Sequence, residues 1–430
     1  MLTGMDKSAE YTDLGAGAVE LLTRLRTHGP MTRSEIGAVT GWARPTVNRR
    51  IEELGVIGIV RPLSMPSPTG GRPAQGFAFD ASCATILAID IATTATTIAL
   101  CDLSAHPTVT RTIAVGAENE PEETLALIRA TADTMLAGGA NVAGAADAPA
   151  HLCAVSVAVT TRVETATGNI IQAPVMRHWE NHNLRDYFTA HYHVPAFVEN
   201  DANARALCKA YELAEDGTST GYVGAERGDG TPMIADLLYV HAGMGLGAGV
   251  ISSGTVMHGA FGAAGDIGHI HVFSEDGAQS LCRCGNTGCV EASAGGWAVI
   301  QALRDAGRPV RTLGDVIELA DHGDVETVRL IRLAGRLIGD TISACVNLLN
   351  PSCIVVGGEL SHCGELLMSG IRERVWARAQ PLATTSLRIE SCSDEAQAGI
   401  IGLAYAAIDQ GLTSPEFLRR LASHGELPMK

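Results

Sequence analysis

The stretch Gly262–Glu291, GAAGDIGHIHVFSEDGAQSLCRCGNTGCVE, decides how the rest of the chain is read. His269 is followed, after twelve intervening residues, by Cys282, then Cys284, then Cys289. This H-x12-C-x-C-x4-C spacing is a Cys3His set of the kind that closes a tetrahedral structural zinc site. Cys282 and Cys284 are too close in sequence to bridge each other comfortably, but two thiolates one residue apart can share a metal. Gly285 and Gly288 allow the tight turns that bring Cys289 to the same centre. His271 competes with His269 as the nitrogen ligand.

The run Gly265-Asp266-Ile267-Gly268-His269, taken with Cys282-Arg283-Cys284-Gly285-Asn286-Thr287-Gly288-Cys289-Val290-Glu291, resembles the signature of the ROK family. The family is named for repressors, open reading frames and sugar kinases. The resemblance extends from about Ala84 to about Ala407.

The chain has 430 residues, enough for two or three domains with substantial cores. Its net charge of −16 argues against a whole-protein nucleic-acid coat. The charge is uneven, however. Residues 1–80 hold nine basic against eight acidic side chains, and the remainder 22 against 39, so a near-neutral head sits on an acidic body. No opening segment has a signal-peptide pattern, and no apolar run approaches the ~18 residues of a membrane span. The 11 cysteines are mostly scattered singly, which predicts reduced thiols in the cytoplasm.

In the head, Val19, Leu22 and Leu25 recur at helical spacing over Gly15–Arg26. Thr32-Arg33-Ser34-Glu35 is a capping-box pattern that opens a short helix ending at Gly41. A third helix is predicted from about Arg44 to Leu54, with Pro45 tolerated in its first turn. Helix, short helix, glycine turn and helix make a helix-turn-helix. Arg44, Thr46, Asn48 and Arg49 lie on the half of the third helix that enters the major groove, where Arg reads guanine, Asn reads adenine and Thr meets a phosphate or a thymine methyl. Gly58–Arg61 reads as a short strand. The Pro- and Gly-rich segment from Pro62 to Pro73 reads as a wing, with Arg61 and Arg72 available to phosphates or the minor groove. A head ending in Gly-Arg-Pro is also what the regulator branch of the ROK family carries.

In the body, β-rich runs at Ala84–Asp90, Thr96–Asp102 and near Val109–Val115 precede a helix at Pro121–Leu136 and a buried strand at Leu152–Val159. A second such set begins at Asp236, which fits an α/β layer fold. The resemblance implies two actin-like (ribonuclease H-like) lobes around a cleft. The expected division is a winged helix-turn-helix domain at 1–80, lobe one at 81–200, lobe two at 201–392 with the zinc loop at 262–291, and C-terminal helices at 393–430, the first returning to lobe one.

By the same resemblance, Glu199-Asn200-Asp201-Ala202-Asn203 carries the general base of the kinases at Asp201 and a sugar contact at Asn200. On the residues alone, Asp201 is placed to cap a helix. Asp266, His269 and Glu291 match the family's other sugar contacts. His269 would then hold zinc through one ring nitrogen and a sugar hydroxyl through the other.

Four departures weaken the enzyme reading. The kinases' Asp-x-Gly-Gly-Thr phosphate loop stands here as Asp90-Ile91-Ala92-Thr93-Thr94, with side chains where bare backbone should meet phosphate. Asp266 replaces the usual Glu. Thr160-Thr161-Arg162-Val163 replaces a Pro-Gly-Pro turn, and Ala173-Pro174-Val175 lacks the usual following Asn. Gly243–Gly247 and Ile354–Gly358 keep the second phosphate loop and the adenosine-type segment. The expectation is therefore a non-enzymatic DNA-binding regulator, a repressor, with operator DNA and a sugar as partners, structural zinc, and a homodimeric or homotetrameric state. The rivals are a sugar kinase using Asp201, and a ligand-independent DNA-binding protein with a vestigial body.

Overall fold

Three short amphipathic helices build the head around one apolar centre. Helix α1 (Ala16–His28) buries Leu21, Leu22 and Leu25, α2 (Arg33–Thr40) buries Ile36, and α3 (Arg44–Val56) buries Val47, Ile51 and Leu54. Thr32 and Glu35 form the capping box, and Gly41 ends α2 in the left-handed region at φ 72°. Strands β1 (Met31–Thr32), β2 (Val60–Met65) and β3 (Ala74–Phe79) form a sheet in the order β1-β3-β2, the arrangement of a winged helix. The sequence reading began the wing at Pro62. The structure instead places Pro62 within β2, opposite Phe77. As β2 is an edge strand, the missing N–H costs no ladder bond.

The computed structural model describes residues 16–65, 74–138, 151–171, 176–215, 234–273, 280–392 and 397–422. Arg72 and most of the expected wing, Ala173-Pro174-Val175 and the expected loop at 217–231 lie outside the described residues.

Two sheets of one topology form the body. In the first, β4 (Thr85–Ile91), β5 (Thr96–Cys101) and β6 (Pro107–Ile113) pair antiparallel; after α4 (Pro121–Gly138), β7 (Leu152–Val159) pairs parallel to β4. A small hairpin, β8 (Val163–Glu164) with β9 (Asn169–Ile170), and α5 (Leu184–Tyr192) lead to β10 (Ala196–Asn200), parallel to β7 and followed by α6 (Asp201–Glu215). In the second sheet β11 (Leu237–Ala242), β12 (Leu246–Ser252) and β13 (Thr255–Val256) pair antiparallel. Helices α7 (Glu291–Ala294), α8 (Gly296–Asp305), α9 (Leu313–Asp321) and α10 (Val325–Leu349) follow. Then β14 (Cys353–Gly357) pairs parallel to β11, and beyond α11 (Glu365–Arg378) and α12 (Pro381–Thr384), β15 (Arg388–Ser391) pairs parallel to β14. The orders β6-β5-β4-β7-β10 and β13-β12-β11-β14-β15 are one pattern used twice. The chain closes with α13 (Ala398–Gly411) and α14 (Pro415–Ala422).

Helix α13 packs on β4, β7 and α6. Small residues permit this: a Cβ on Gly402 would collide with the Ala204 carbonyl of α6, and one on Gly249 of β12 with that of Ala202. One buried apolar core runs from α1 through β4 and α6 to α13 and α14, so head and body share it.

Candidate functional site

The turn that brings the metal-type ligands together is built from glycines with positive φ, Gly285 at 93° and Gly288 at 79°. His269 Nδ1 lies 3.6 Å from Cys282 Sγ, and Cys284 Sγ lies 3.7 Å from Cys289 Sγ. All four ligand atoms fall within 4.8 Å of one another. A tetrahedron with bonds of about 2.3 Å to sulfur and about 2.0 Å to nitrogen separates its corners by roughly 3.5–3.8 Å, so the donor set fits zinc. His271 is outside this cluster: it bridges Cys289 by backbone pairing, and its ring stacks edge-on with Phe273. The nitrogen that stands with the three cysteine sulfurs is therefore that of His269.

The other ring nitrogen of His269, Nε2, lies 3.7 Å from Asp266 Oδ1. The second oxygen of Asp266 is taken by Arg162, whose Nε donates to it at 2.8 Å and whose Nη2 donates as well. Two departures noted separately in the sequence are thus one contact. The Arg162 guanidinium meets the Asp266 carboxylate directly.

Asn200, not Asp201, caps α6. Its Oδ1 accepts from Ala202 N at 2.9 Å and Asn203 N at 3.4 Å, while its Nδ2 donates to the Thr161 carbonyl, next to Arg162. Asp201 is the first residue inside the helix, and a side-chain oxygen accepts from Ala202 N at 2.9 Å. Arg205, one turn on, stands 3.7 Å from Asp201 Oδ2 and donates to Asp90 Oδ2 at 3.0 Å. The i, i+4 spacing from Asp201 to Arg205 was a signal for this pair that the sequence reading passed over. Burial pushes the Asp90 carboxyl above the usual carboxylate range, against the opposing pull of Arg205.

A second contact reaches the segment before Asp266. Glu199 is buried, accepting from Asn200 N and Asn203 Nδ2 with Oε1, while Oε2 lies 2.7 Å from His258 Nε2. The hydrogen bond to Glu199 raises the His258 pKa above its ordinary value, although burial opposes it. Neither partner was singled out for this role in the sequence. Glu291 is also buried; Oε2 accepts from Leu246 N at 3.0 Å and Oε1 from Trp297 Nε1 at 3.3 Å, which ties α7 to the Gly243–Gly247 loop.

The first phosphate-type loop has closed on itself. Ala92 N donates to the Ala95 carbonyl, the Ala92 and Thr93 carbonyls accept from Ala117 N and Glu118 N, and none of residues 92–95 has positive φ. Gly116 lies so close that a Cβ there would strike the Ala92 carbonyl.

On the head, Arg44 and Arg49 are exposed, Arg49 lying 3.8 Å from Glu53; Thr46 and Asn48 are half-buried. Arg61, exposed on β2, lies 3.6 Å from Asp80. Asn48 Oδ1 accepts from Arg33 Nε at 2.9 Å, which orients the amide with its NH2 group away from Arg33. The sequence reading saw Arg33 only as a letter inside the capping box.

A model of the ROK family matches residues 86–410, most of the chain and all the body residues of the site described above. The chain belongs to the ROK family. Among ROK relatives, a glucokinase of Halalkalibacterium halodurans is 32% identical over 254 residues, covering 56% of this chain and 71% of its own length. An N-acetylglucosamine repressor of Escherichia coli O6:H1 is 26% identical over 371 residues, covering 84% of this chain and 85% of its own. The crystal structure of a ROK family transcriptional regulator, a homologue of the E. coli MLC protein, matches with a TM-score of 0.75 at 22% identity, over 97% of this chain and all of that one. That similarity shows a shared fold over 97% of this chain. No helix among the described residues is long and apolar enough to cross a membrane.

Proposed function

We propose that this ROK protein is a DNA-binding transcriptional repressor whose operator affinity is set by a sugar or sugar derivative in its cleft. The observation that carries the reading is the head, a winged helix with Arg44 and Arg49 exposed on α3, sharing one core with the helix pair α6–α13. The N-terminal end of α6 carries Asn200 and Asp201 at the cleft, and its later turns lie against α13. Arg26 of α1 sits 6.0 Å and 5.8 Å from the rings of Tyr211 on α6 and Tyr405 on α13, which stack at 3.9 Å. A shift of α6 on ligand binding reaches the head through packed side chains. In a homodimer or homotetramer it resets the spacing of two heads against two operator half-sites.

His269, Cys282, Cys284 and Cys289 would hold a zinc ion whose role is structural. A metal held there would fix the ring of His269, which faces Asp266 through its other nitrogen. Asn200, Asp201, Asp266, His269 and Glu291 are the proposed sugar-side residues. Of these, Asn200 and Glu291 act chiefly as positioning groups, because their polar atoms already have partners.

Catalysis of phosphoryl transfer does not fit the closed, side-chain-bearing loop at Ala92–Ala95, where backbone N–H groups must face phosphate oxygens. The test is ATP consumption by the full chain across a panel of hexoses, pentoses and amino sugars. The reading expects no sugar-dependent turnover; turnover with any one sugar, abolished in Asp201→Asn, overturns it in favour of a kinase.

A further inference from the structure

We propose that Arg205 is a built-in counter-ion: its guanidinium holds, between Asp90 and Asp201, the position a divalent cation would take, and so leaves the cleft with no affinity for one there. The inference goes beyond the sugar-responsive reading and does not depend on DNA binding.

The placement follows from the sheet. Strands β4, β7 and β10 run parallel, and their register sets Asp90 and Glu199 level with each other on either side of Ala158. Asp90 is the last residue but one of β4, and Asp201 follows directly on β10. Both carboxylates therefore stand at the carboxyl ends of parallel strands, the edge of an α/β sheet where ligands are held. Asp90 and Asp201 are each only 8% exposed, so bulk water does little to screen them. Two carboxylates brought together away from water demand a cation or a proton.

Here the chain supplies the cation. Arg205 lies one turn along α6 from Asp201. Its Nη2 donates to Asp90 Oδ2 at 3.0 Å, while its Nη1 donates to the Asp201 carbonyl at 3.0 Å and lies 3.7 Å from Asp201 Oδ2. One guanidinium thus faces both carboxylates with different nitrogens. Helix α13 closes the pair off: a Cβ on Gly399 would strike Asp90 Oδ2 and come within 3.5 Å of the Arg205 guanidinium carbon. Asp90 Oδ1 is buried and has no hydrogen-bond partner among the described residues, so Arg205 satisfies one of the two carboxyl oxygens and not the other. A hard divalent cation, bound by one or two carboxylates and several waters, would serve both. Burial holds the Asp90 carboxyl above the usual carboxylate range, and the Arg205 charge pulls it back. Without Arg205, Asp90 must take either a metal ion or a proton.

The experiment is a Mn2+ titration of the full chain, read by electron paramagnetic resonance of the free ion and by melting temperature. Wild type and Asp90→Asn should take up the same amount of Mn2+, because no ion is held at Asp90. Arg205→Ala should bind one further Mn2+ per chain, with a Kd on the order of 10⁻⁴–10⁻³ M for a site of few carboxylates, and Mn2+ should raise its melting temperature. Both gains should disappear in Arg205→Ala/Asp90→Asn. Arg205→Lys, which keeps a positive charge, should bind no more than wild type. If Arg205→Ala does not fold, Arg205→Gln, which keeps a hydrogen-bond donor for Asp90 but no charge, carries the same expectation. Loss of stability in these neutral variants with no added Mn2+ uptake would mean that Arg205 is only a structural partner and that Asp90 has taken a proton instead, and that result overturns the proposal. So does Mn2+ uptake by the wild type that Asp90→Asn removes. Neither result bears on the repressor reading, which DNA titration tests separately.

Discussion

Arg162 and Asp266, 104 residues apart in sequence, meet as one ion pair that joins the turn after β7 to the loop that carries the Cys3His cluster. Both side chains are largely shielded, with 23% and 31% of their surface exposed, so the pair lies between a surface bridge and a buried one. It stands where the sugar side of the cleft is expected, and the Asp266 carboxylate also faces the ring of His269.

A double-mutant cycle on this pair is expected to show coupling of about 1–2 kcal/mol in urea unfolding, the double variant costing less than the two single variants added. Arg162→Ala and Asp266→Ala should each also change the sugar response, since either loss frees a charge in the cleft. Additive single effects would show that the contact is incidental.

Removal of zinc should be destabilising. The full chain is expected to bind one zinc per chain, and either strong chelation or Cys284→Ser should lower the melting temperature by at least about 5 °C. His271→Ala, outside the cluster, should leave the stoichiometry unchanged. Metal analysis with a thermal scan checks both, and retention of zinc by Cys284→Ser would contradict the Cys3His assignment.

The Glu199–His258 contact makes stability depend on pH in a defined direction. His258 has a raised pKa in the folded chain because it donates to Glu199. Its contribution is fully present below the ordinary histidine range, about 6.5, and is lost as pH rises through the raised folded value. His258→Gln should therefore lose most relative to wild type at pH 6 and least near pH 9. Denaturant titrations at both pH values check this; a pH-independent difference would show that the ring is not charged in the contact.

Helix α13 should tolerate no side chain at Gly402, where it meets α6. Gly402→Ala drives a Cβ into the Ala204 carbonyl and is expected to cost about 1–3 kcal/mol in urea unfolding, more than alanine at half-buried Gln410 of the same helix. If the backbone contact transmits the ligand signal, Gly402→Ala also weakens the sugar response at temperatures where it remains folded.

The clustering of His269 with the three cysteines was readable because they lie close in sequence and glycines announce the turn. The head was readable because capping, proline position and apolar spacing agree over a few dozen residues. What local pattern could not supply was contact between distant segments. Arg162 and Asp266 each read as a departure, Glu199 and His258 were not singled out for a shared role, and no periodicity couples residues 59 or 104 positions apart. Helix capping by Asn200 in place of Asp201 turned on a single residue at the boundary, where patterns are weakest. Pro62 was misplaced because its compatibility with β2 depends on that strand lying at a sheet edge, which is a property of the assembled sheet.

The most direct test is a fluorescence-anisotropy titration of the full chain against the DNA upstream of its own gene, at fixed salt, with and without a panel of sugars and amino sugars. The account predicts tight, sequence-specific binding that is lost in an Arg44→Ala/Arg49→Ala variant and shifted by at least one sugar within about 5–150-fold, the range of ordinary allosteric coupling. Specific binding that no sugar moves, or no specific binding at all, would contradict it.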